Sequence, residues 1–162
     1  MNYPSNCIKL RELCIPLYTN YLIANKKFPV TKFTPRKKGS GIIYYIKLTI
    51  KTNNIVIPSV LSGTSSRYNI NNNRNNVLSG ANAIYKIGYT SRTITHRLTT
   101  MNIKPNINIT ILATLNFNKL VDAYNMEQVL HKEHSKERYY GERLMESGYS
   151  ECYRSDVLGL DC

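Results

Sequence analysis

The chain has 162 residues, of which 42% are hydrophobic, and its formal net charge is +12. This length suits one domain with an extension, and no run of about 18 apolar residues is present that would span a membrane. The N-terminus lacks an apolar stretch followed by a small-residue cleavage site, so we expect a cytoplasmic protein that is not secreted.

The positive charge is concentrated ahead of residue 122. Residues 1–121 contain 17 Lys or Arg and a single acid, Glu12, whereas residues 122–162 contain five basic and nine acidic residues. Because so much uncompensated charge attracts a polyanion, nucleic acid is the expected partner. Any carboxylate that binds a metal ion is therefore Glu12 or lies beyond Val121.

The four cysteines form no Cys-x-x-Cys pair and have no histidine at the spacing of zinc ligands. We interpret them as scattered, reduced thiols, with a Cys152–Cys162 disulfide as an unsupported alternative. The sequence thus predicts no structural zinc site.

The first 40 residues are expected to form a basic N-terminal extension. Residues 6–27 have a loosely helical apolar pattern that Pro16 interrupts, which predicts one or two short helices. Residues 26–40 are basic and contain two prolines, so they either lie along a phosphate backbone or form a solvated linker. The side chains expected to bind DNA here are Lys26, Lys27, Arg36, Lys37 and Lys38.

Two strands separated by a polar insertion follow the extension. Residues 41–50 (GIIYYIKLTI) and 84–89 (IYKIGY) are rich in β-branched and aromatic residues, which favours strands. Between them lies an asparagine-rich insertion at about residues 51–82. It contains too little apolar surface to offset its ordering entropy, so we expect a mobile loop.

The remaining pattern alternates between helix and strand. Thr93 or Ser91 is expected to cap a helix, residues 106–115 a third strand, and residues 119–136 a longer helix. On this helix Tyr124, Glu127 and His131 share one stripe beside the apolar face. The order predicts an α+β domain over residues 41–162, with a small three-stranded antiparallel sheet flanked by helices.

Five short motifs occur in order along these elements. The first strand contains Gly41-Ile42-Ile43-Tyr44, and the second contains Tyr85-Lys86-Ile87-Gly88 followed by Thr90. Arg97 follows in the next helix, Glu127 precedes Leu130-His131 in the later helix, and an aromatic and acidic tail ends the series. This arrangement resembles the GIY-YIG endonuclease superfamily, and its Lys-Ile-Gly-x-Thr form resembles the branch common in phage and other viral proteins.

The resemblance implies a metal-dependent DNA endonuclease that hydrolyses phosphodiester bonds. Its partner would be DNA and its cofactor Mg²⁺ or Mn²⁺, with no small-molecule cofactor and no membrane association. A catalytically weak DNA-binding module or accessory protein on the same fold is the alternative, and a basic virion protein is a third reading.

The resemblance also assigns roles to individual residues. Glu127 would be the metal ligand, because magnesium prefers oxygen ligands and keeps several waters. Arg97 would clamp a phosphate, with Arg92 as its nearest competitor and a further DNA contact. Tyr44 would activate water or relay a proton, although Tyr45 alternates with it on the strand.

Two further residues complete the predicted catalytic set. Lys86 stands where many members of the superfamily have tyrosine, and it would orient phosphate or lower the pKa of a nearby tyrosine. His131, one turn after Glu127, would act as a base or contact phosphate, or else form a structural hydrogen bond.

Overall fold

A computed structural model describes residues 3–25, 39–51 and 83–161. Most of the basic segment and of the asparagine-rich insertion therefore lies outside the described residues, as do Lys26, Lys27, Arg36, Lys37 and Lys38. The helices and strands are α1 (Tyr3–Asn25), β1 (Gly41–Ile50), β2 (Ile84–Thr90), α2 (Ile94–Thr100), β3 (Ile107–Phe117), α3 (Leu120–Glu133) and β4 (Cys152–Tyr153).

The strands form one antiparallel sheet in the order β3-β1-β2-β4. The predicted α+β class is confirmed, with β1, β2 and β3 close to their expected positions. The fourth strand was not predicted: it pairs Cys152 with Lys86 and Tyr153 with Tyr85. Two residues are too few to show an alternating pattern, so only the folded tail reveals this strand.

Side chains of β1 and β2 alternate between the two faces of the sheet. Tyr45, Tyr85 and Ile87 pack with α1 and α3 in one apolar cluster. Tyr44 lies in a second cluster on the other face, with Met101 and residues of the tail. The alternation therefore separates Tyr44 from Tyr45, as the sequence predicted, and carries Lys86 to the tail side of β2.

Of the one or two short helices predicted here, the structure has one, and it is longer than expected because it continues through Pro16 for 23 residues. Pro16 is exposed, and water can replace the backbone hydrogen bond that proline cannot donate. Leu10 and Cys14 are buried against the sheet and α3, which supplies the packing energy that propensity alone lacks. A domain boundary after residue 40 stays a prediction.

Every helix within the described residues is too short or too polar to span a membrane. Cys7, Cys14 and Cys152 are free thiols, while Cys162 lies outside the described residues. Burial raises the pKa of Cys152 to about 11, which makes it a poor nucleophile near neutral pH.

Candidate active site

A buried carboxylate, Glu127, lies where α3 meets the end of β2. Its side chain is 2% exposed. Oε1 accepts a hydrogen bond from the backbone N–H of Tyr89 at 3.1 Å, and Oε2 accepts one from Gln128 Nε2 at 3.1 Å. No lysine or arginine of the described residues forms a salt bridge with it. A buried carboxylate stabilised only by neutral donors favours the approach of a cation.

His131 lies one helical turn after Glu127, as predicted. Its side chain is almost fully buried, and Nδ1 shares a hydrogen bond with the Tyr153 hydroxyl. Nε2 lies 3.7 Å from Glu127 Oε1, which is too long for a hydrogen bond. Within the part of the chain that the structure describes, Nε2 is buried and has no hydrogen-bond partner.

Lys86 is a fully buried cation beneath the tail. Its Nζ donates a hydrogen bond to the Gly148 carbonyl at 2.7 Å and forms an ion pair with Glu151. Gly148 adopts a left-handed conformation (φ 73°), and a Cβ there would lie 2.6 Å from Lys86 Nζ. The glycine therefore allows both the turn and the close approach of the ammonium group.

Glu151 is the site residue that the sequence reasoning missed. The candidate ligand atoms of Glu127, His131 and Glu151 all lie within 4.8 Å of one another. The charge pattern had restricted metal-binding carboxylates to Glu12 and the acids beyond Val121, but nothing in it distinguished Glu151 from the other tail acids. Pairing of β4 with β2 brings Glu151 to the site.

These groups fit a divalent cation. Carboxylate oxygens and a neutral imidazole nitrogen are usual ligands of such ions in proteins. The buried Glu127 carboxylate and the unpartnered His131 Nε2 both lack the strong partner that a cation would provide. The predicted metal ligand Glu127 is therefore in surroundings compatible with that role.

Tyr44 packs directly against Gly88, its partner on β2, and is fully buried. Its hydroxyl lies 3.7 Å from Met101 Sδ. Burial raises the pKa of Tyr44 above its ordinary value, while the positive charges of Lys86 and Arg97 act in the opposite direction. Since burial outweighs these charges, the phenol is neutral near pH 7 and is a weak base. Its predicted part in water activation stays a prediction.

Arg97 and Arg92 lie together at an open cleft of about 330 Å³ beside the end of β2. The cleft is lined by Tyr89, Thr90, Ser91, Arg92, His96, Arg97 and Thr100. Of the two predicted caps, Thr93 is the one that caps α2, since its side chain accepts a hydrogen bond from the His96 N–H. This cap fixes the start of α2, the helix that carries Arg97.

The two arginines differ in their surroundings. Arg97 is half-buried, and among the described residues its Nε is buried without a hydrogen-bond partner. Arg92 is exposed, and its guanidinium lies 2.7 Å from His96 Nε2. Arg97 lines the cleft, is half-buried and is not engaged by His96, so it is the better-placed of the two for a phosphate in the cleft.

Tyr89, another residue that the sequence reasoning did not select, connects the cleft to Glu127. Its backbone N–H binds the Glu127 carboxylate, while its half-buried ring lines the cleft and packs edge-on against Tyr124. Burial, followed by the charge of Glu127, raises the pKa of Tyr89. The predicted residues thus form two adjoining groups, one around Glu127 and His131 and the other around Arg97, Lys86 and Tyr44.

Comparison with known proteins gives one family. A family model described as the T5orf172 domain matches residues 66–155. This range contains Lys86, Arg97, Glu127, His131 and Glu151, and it begins after Tyr44. No curated protein and no solved structure matches the chain significantly.

Proposed function

The chain belongs to the T5orf172 domain family, a phage-associated domain related to nuclease folds of the GIY-YIG type, and on that premise we propose that it is a metal-dependent DNA endonuclease. The family by itself supports a phage-type, DNA-related function. Hydrolysis of phosphodiester bonds is our proposal beyond that general function. It rests on one observation: Tyr89 joins the buried Glu127 carboxylate to a cleft that contains Arg97.

In this proposal Arg97 binds the phosphate to be cut. The guanidinium is permanently charged and planar, so its donors match the oxygens of a phosphate. Arg97 lines the cleft and is half-buried, so a phosphate in the cleft would meet a partly desolvated guanidinium. The exposed Arg92 extends the positive surface toward the neighbouring DNA backbone.

Glu127 would hold the metal ion, Mg²⁺ or Mn²⁺. When bound, the ion would supply positive charge that offsets the negative charge developing on the phosphate. The Tyr89 N–H and the Gln128 amide orient the carboxylate, so little reorganisation accompanies binding. Burial also keeps bulk water away from Glu127, which strengthens its attraction for a cation.

Tyr44 and Lys86 are both fully buried, and the charges of Lys86 and Arg97 act on the Tyr44 hydroxyl. The Tyr44 hydroxyl would relay a proton, because a neutral phenol can both donate and accept. Lys86 would stabilise negative charge near that hydroxyl, since its ammonium group acts to lower the pKa of Tyr44. Gly148 and Glu151 hold the ammonium group in this position.

The excess positive charge of residues 1–121 would hold the DNA across the site. These residues contain 17 Lys or Arg and one acid. Binding of this kind depends strongly on salt, because cations are released from the phosphates as the protein binds. It supplies affinity without sequence recognition.

Cleavage of supercoiled plasmid tests the proposal. Wild-type protein in Mg²⁺ or Mn²⁺ is expected to nick or linearise the plasmid, and EDTA is expected to stop it. Glu127→Gln and Arg97→Ala should each lower the rate by about 100-fold or more. Glu133→Gln, an exposed substitution on the same helix, is the matched control and should cut like wild type. Equal cleavage by all the proteins, or cleavage in EDTA, would count against the proposal.

A catalytically weak DNA-binding module is the second candidate. The observation that favours it is the complete burial of Tyr44, whose hydroxyl contacts Met101 and whose pKa is raised. This candidate predicts a salt-sensitive gel shift that Glu127→Gln leaves unchanged, with no metal-dependent cleavage of supercoiled, linear or branched DNA.

A further inference from the structure

We propose that Glu127, His131 and Glu151 together bind one divalent transition-metal ion, and that this site prefers Mn²⁺ to Mg²⁺. The inference rests on the proposed function and deepens it, because it names two ligands beyond Glu127 and the class of ion. His131 is then assigned to the metal ion, in place of the base or phosphate contact expected from the sequence.

The three side chains come from two separate parts of the fold. Glu127 and His131 are four residues apart on α3, so their side chains project from successive turns of one helix face. Glu151 comes from the turn Tyr149–Glu151 ahead of β4. The 3.7 Å between Glu127 Oε1 and His131 Nε2 is close to the separation of neighbouring ligands on one ion, roughly 3 to 4 Å for bonds of about 2.1 Å.

The contact between His131 and Tyr153 leaves Nε2 available to a metal ion. If Nδ1 carries the proton and donates to the Tyr153 hydroxyl, the lone pair of Nε2 is free, and Nε2 lies 3.7 Å from Glu127 Oε1. If Nε2 carries the proton instead, a buried N–H has no acceptor within hydrogen-bonding distance, which is unfavourable. A histidine that binds metal through one nitrogen typically donates from the other to such a partner.

The charges of the cluster also favour a dication. Glu127 and Glu151 contribute two negative charges, and Lys86 offsets one of them by pairing with Glu151 Oε2. A carboxylate has two oxygens, so its pairing with Lys86 still allows Glu151 to coordinate an ion. One negative charge therefore remains uncompensated in largely buried surroundings. A bound dication would attract both carboxylates and so offset the electrostatic repulsion between them.

The imidazole determines the class of ion. Mg²⁺ prefers a shell of oxygen ligands and retains several waters, whereas imidazole suits first-row transition metals. Mn²⁺ accepts both carboxylate and imidazole ligands, so a mixed set of two carboxylates and one nitrogen favours it over Mg²⁺.

Mn²⁺ binding measured by electron paramagnetic resonance tests the site without reference to cleavage. Wild-type protein is expected to bind one Mn²⁺ per chain, and spin-echo modulation should detect a directly coordinated ¹⁴N nucleus. His131→Gln should abolish the nitrogen signal. His131→Gln and Glu151→Gln should each raise the Mn²⁺ dissociation constant at least about tenfold, the lower end of what even outer partners of a metal site contribute.

Lys86→Met separates the two possible roles of Glu151. This substitution removes the ion pair and keeps the carboxylate, so a ligand role predicts Mn²⁺ binding as tight as in wild type or tighter. Loss of binding in both Lys86→Met and Glu151→Gln would show that Glu151 acts only by pairing with lysine, and would overturn the three-ligand site. Glu133→Gln is again the control.

The result that overturns the inference is Mn²⁺ binding that needs Glu127 alone and shows no ¹⁴N coupling in the wild type. Because that spectrum is recorded on the unmodified protein, a variant that fails to fold cannot obscure it. Metal-dependent plasmid cleavage alongside this result would leave the proposed function standing. Conversely, a three-ligand Mn²⁺ site without cleavage of any DNA would support the inference and count against the proposed endonuclease.

Discussion

The ring of Tyr44 lies directly over Gly88, its partner across β1 and β2, and a Cβ at Gly88 would overlap the Tyr44 hydroxyl. Because Gly88 has no side chain, the Tyr44 ring can lie against the backbone there, with its hydroxyl near Met101. A glycine at this position is required by the neighbouring ring, and not by an unusual backbone angle.

Substituting Gly88 by alanine is therefore expected to displace Tyr44. Forcing an extra methyl group into this contact should lower the free energy of unfolding by about 1–3 kcal/mol. It should also slow plasmid cleavage, because the hydroxyl moves away from Lys86 and Arg97. Urea denaturation and the plasmid assay measure the two effects, with the exposed β3 substitution Asn116→Ala as the control. Stability and cleavage equal to those of the control would contradict the tight contact.

Arg97 and Arg92 should respond differently to removal. Arg97→Ala is expected to lower kcat by about 100- to 1000-fold, as loss of a transition-state donor does, with a smaller change in DNA affinity. Arg92→Ala should leave kcat unchanged. It should also reduce the slope of the logarithm of the DNA-binding constant against the logarithm of the salt concentration by about one. Single-turnover cleavage and gel shifts at several salt concentrations distinguish the two. Equal effects on kcat would assign the phosphate to both arginines or to neither.

The pairing of Asp161 with Lys47 and Tyr85 predicts a pH-dependent contribution to stability. Burial acts to raise the pKa of Asp161, but the hydrogen bonds from Lys47 (2.6 Å) and Tyr85 (2.6 Å) outweigh it and lower the pKa below its ordinary value. The unfolded chain then binds the proton more readily than the folded one. The contribution is complete above the unfolded pKa of about 3.9 and is lost as the pH falls through the lower folded value.

Asp161→Asn should accordingly reduce the free energy of unfolding at pH 7 by about 1 kcal/mol, a modest value because both partners are partly exposed. The difference from wild type should shrink as the pH falls below about 3.9. Urea denaturation across this pH range measures it, with the exposed Glu137→Gln as the reference. A difference that stays constant into acid would show that the charge of Asp161 is not involved.

The buried face of α1 should contribute to the stability of the whole fold. Leu10 is fully buried in the cluster formed with β1 and α3, so Leu10→Ala is expected to cost about 2–5 kcal/mol. Ile8 is 61% exposed, and Ile8→Ala should change stability by less than about 0.5 kcal/mol. Thermal or urea unfolding compares them. If Leu10→Ala were equally mild, α1 would be a dispensable extension.

The local elements were predictable because their signals are local. The apolar and β-branched residues of 41–50 and 84–89 identify β1 and β2, which alternate as expected between the two faces. The helix expected at residues 119–136 ends earlier, at Glu133, where His134 leaves the helical conformation. Helix α1 is longer than the short helices predicted, since tertiary burial of Leu10 and Cys14 outweighs the one hydrogen bond that Pro16 cannot form.

The sequence by itself determined the order of the elements and the strand or helix that carries each of Tyr44, Lys86, Arg97 and Glu127. Strand alternation, helix spacing and motif order can all be read along the chain. Only the tertiary structure placed Glu151 against Lys86, 65 residues away, and within reach of Glu127. That contact depends on pairing of the two-residue β4 with β2, on the left-handed turn at Gly148 and on the packing of α3. No periodicity along the chain encodes contacts of this kind, because their free energy arises only when the distant segments pack together.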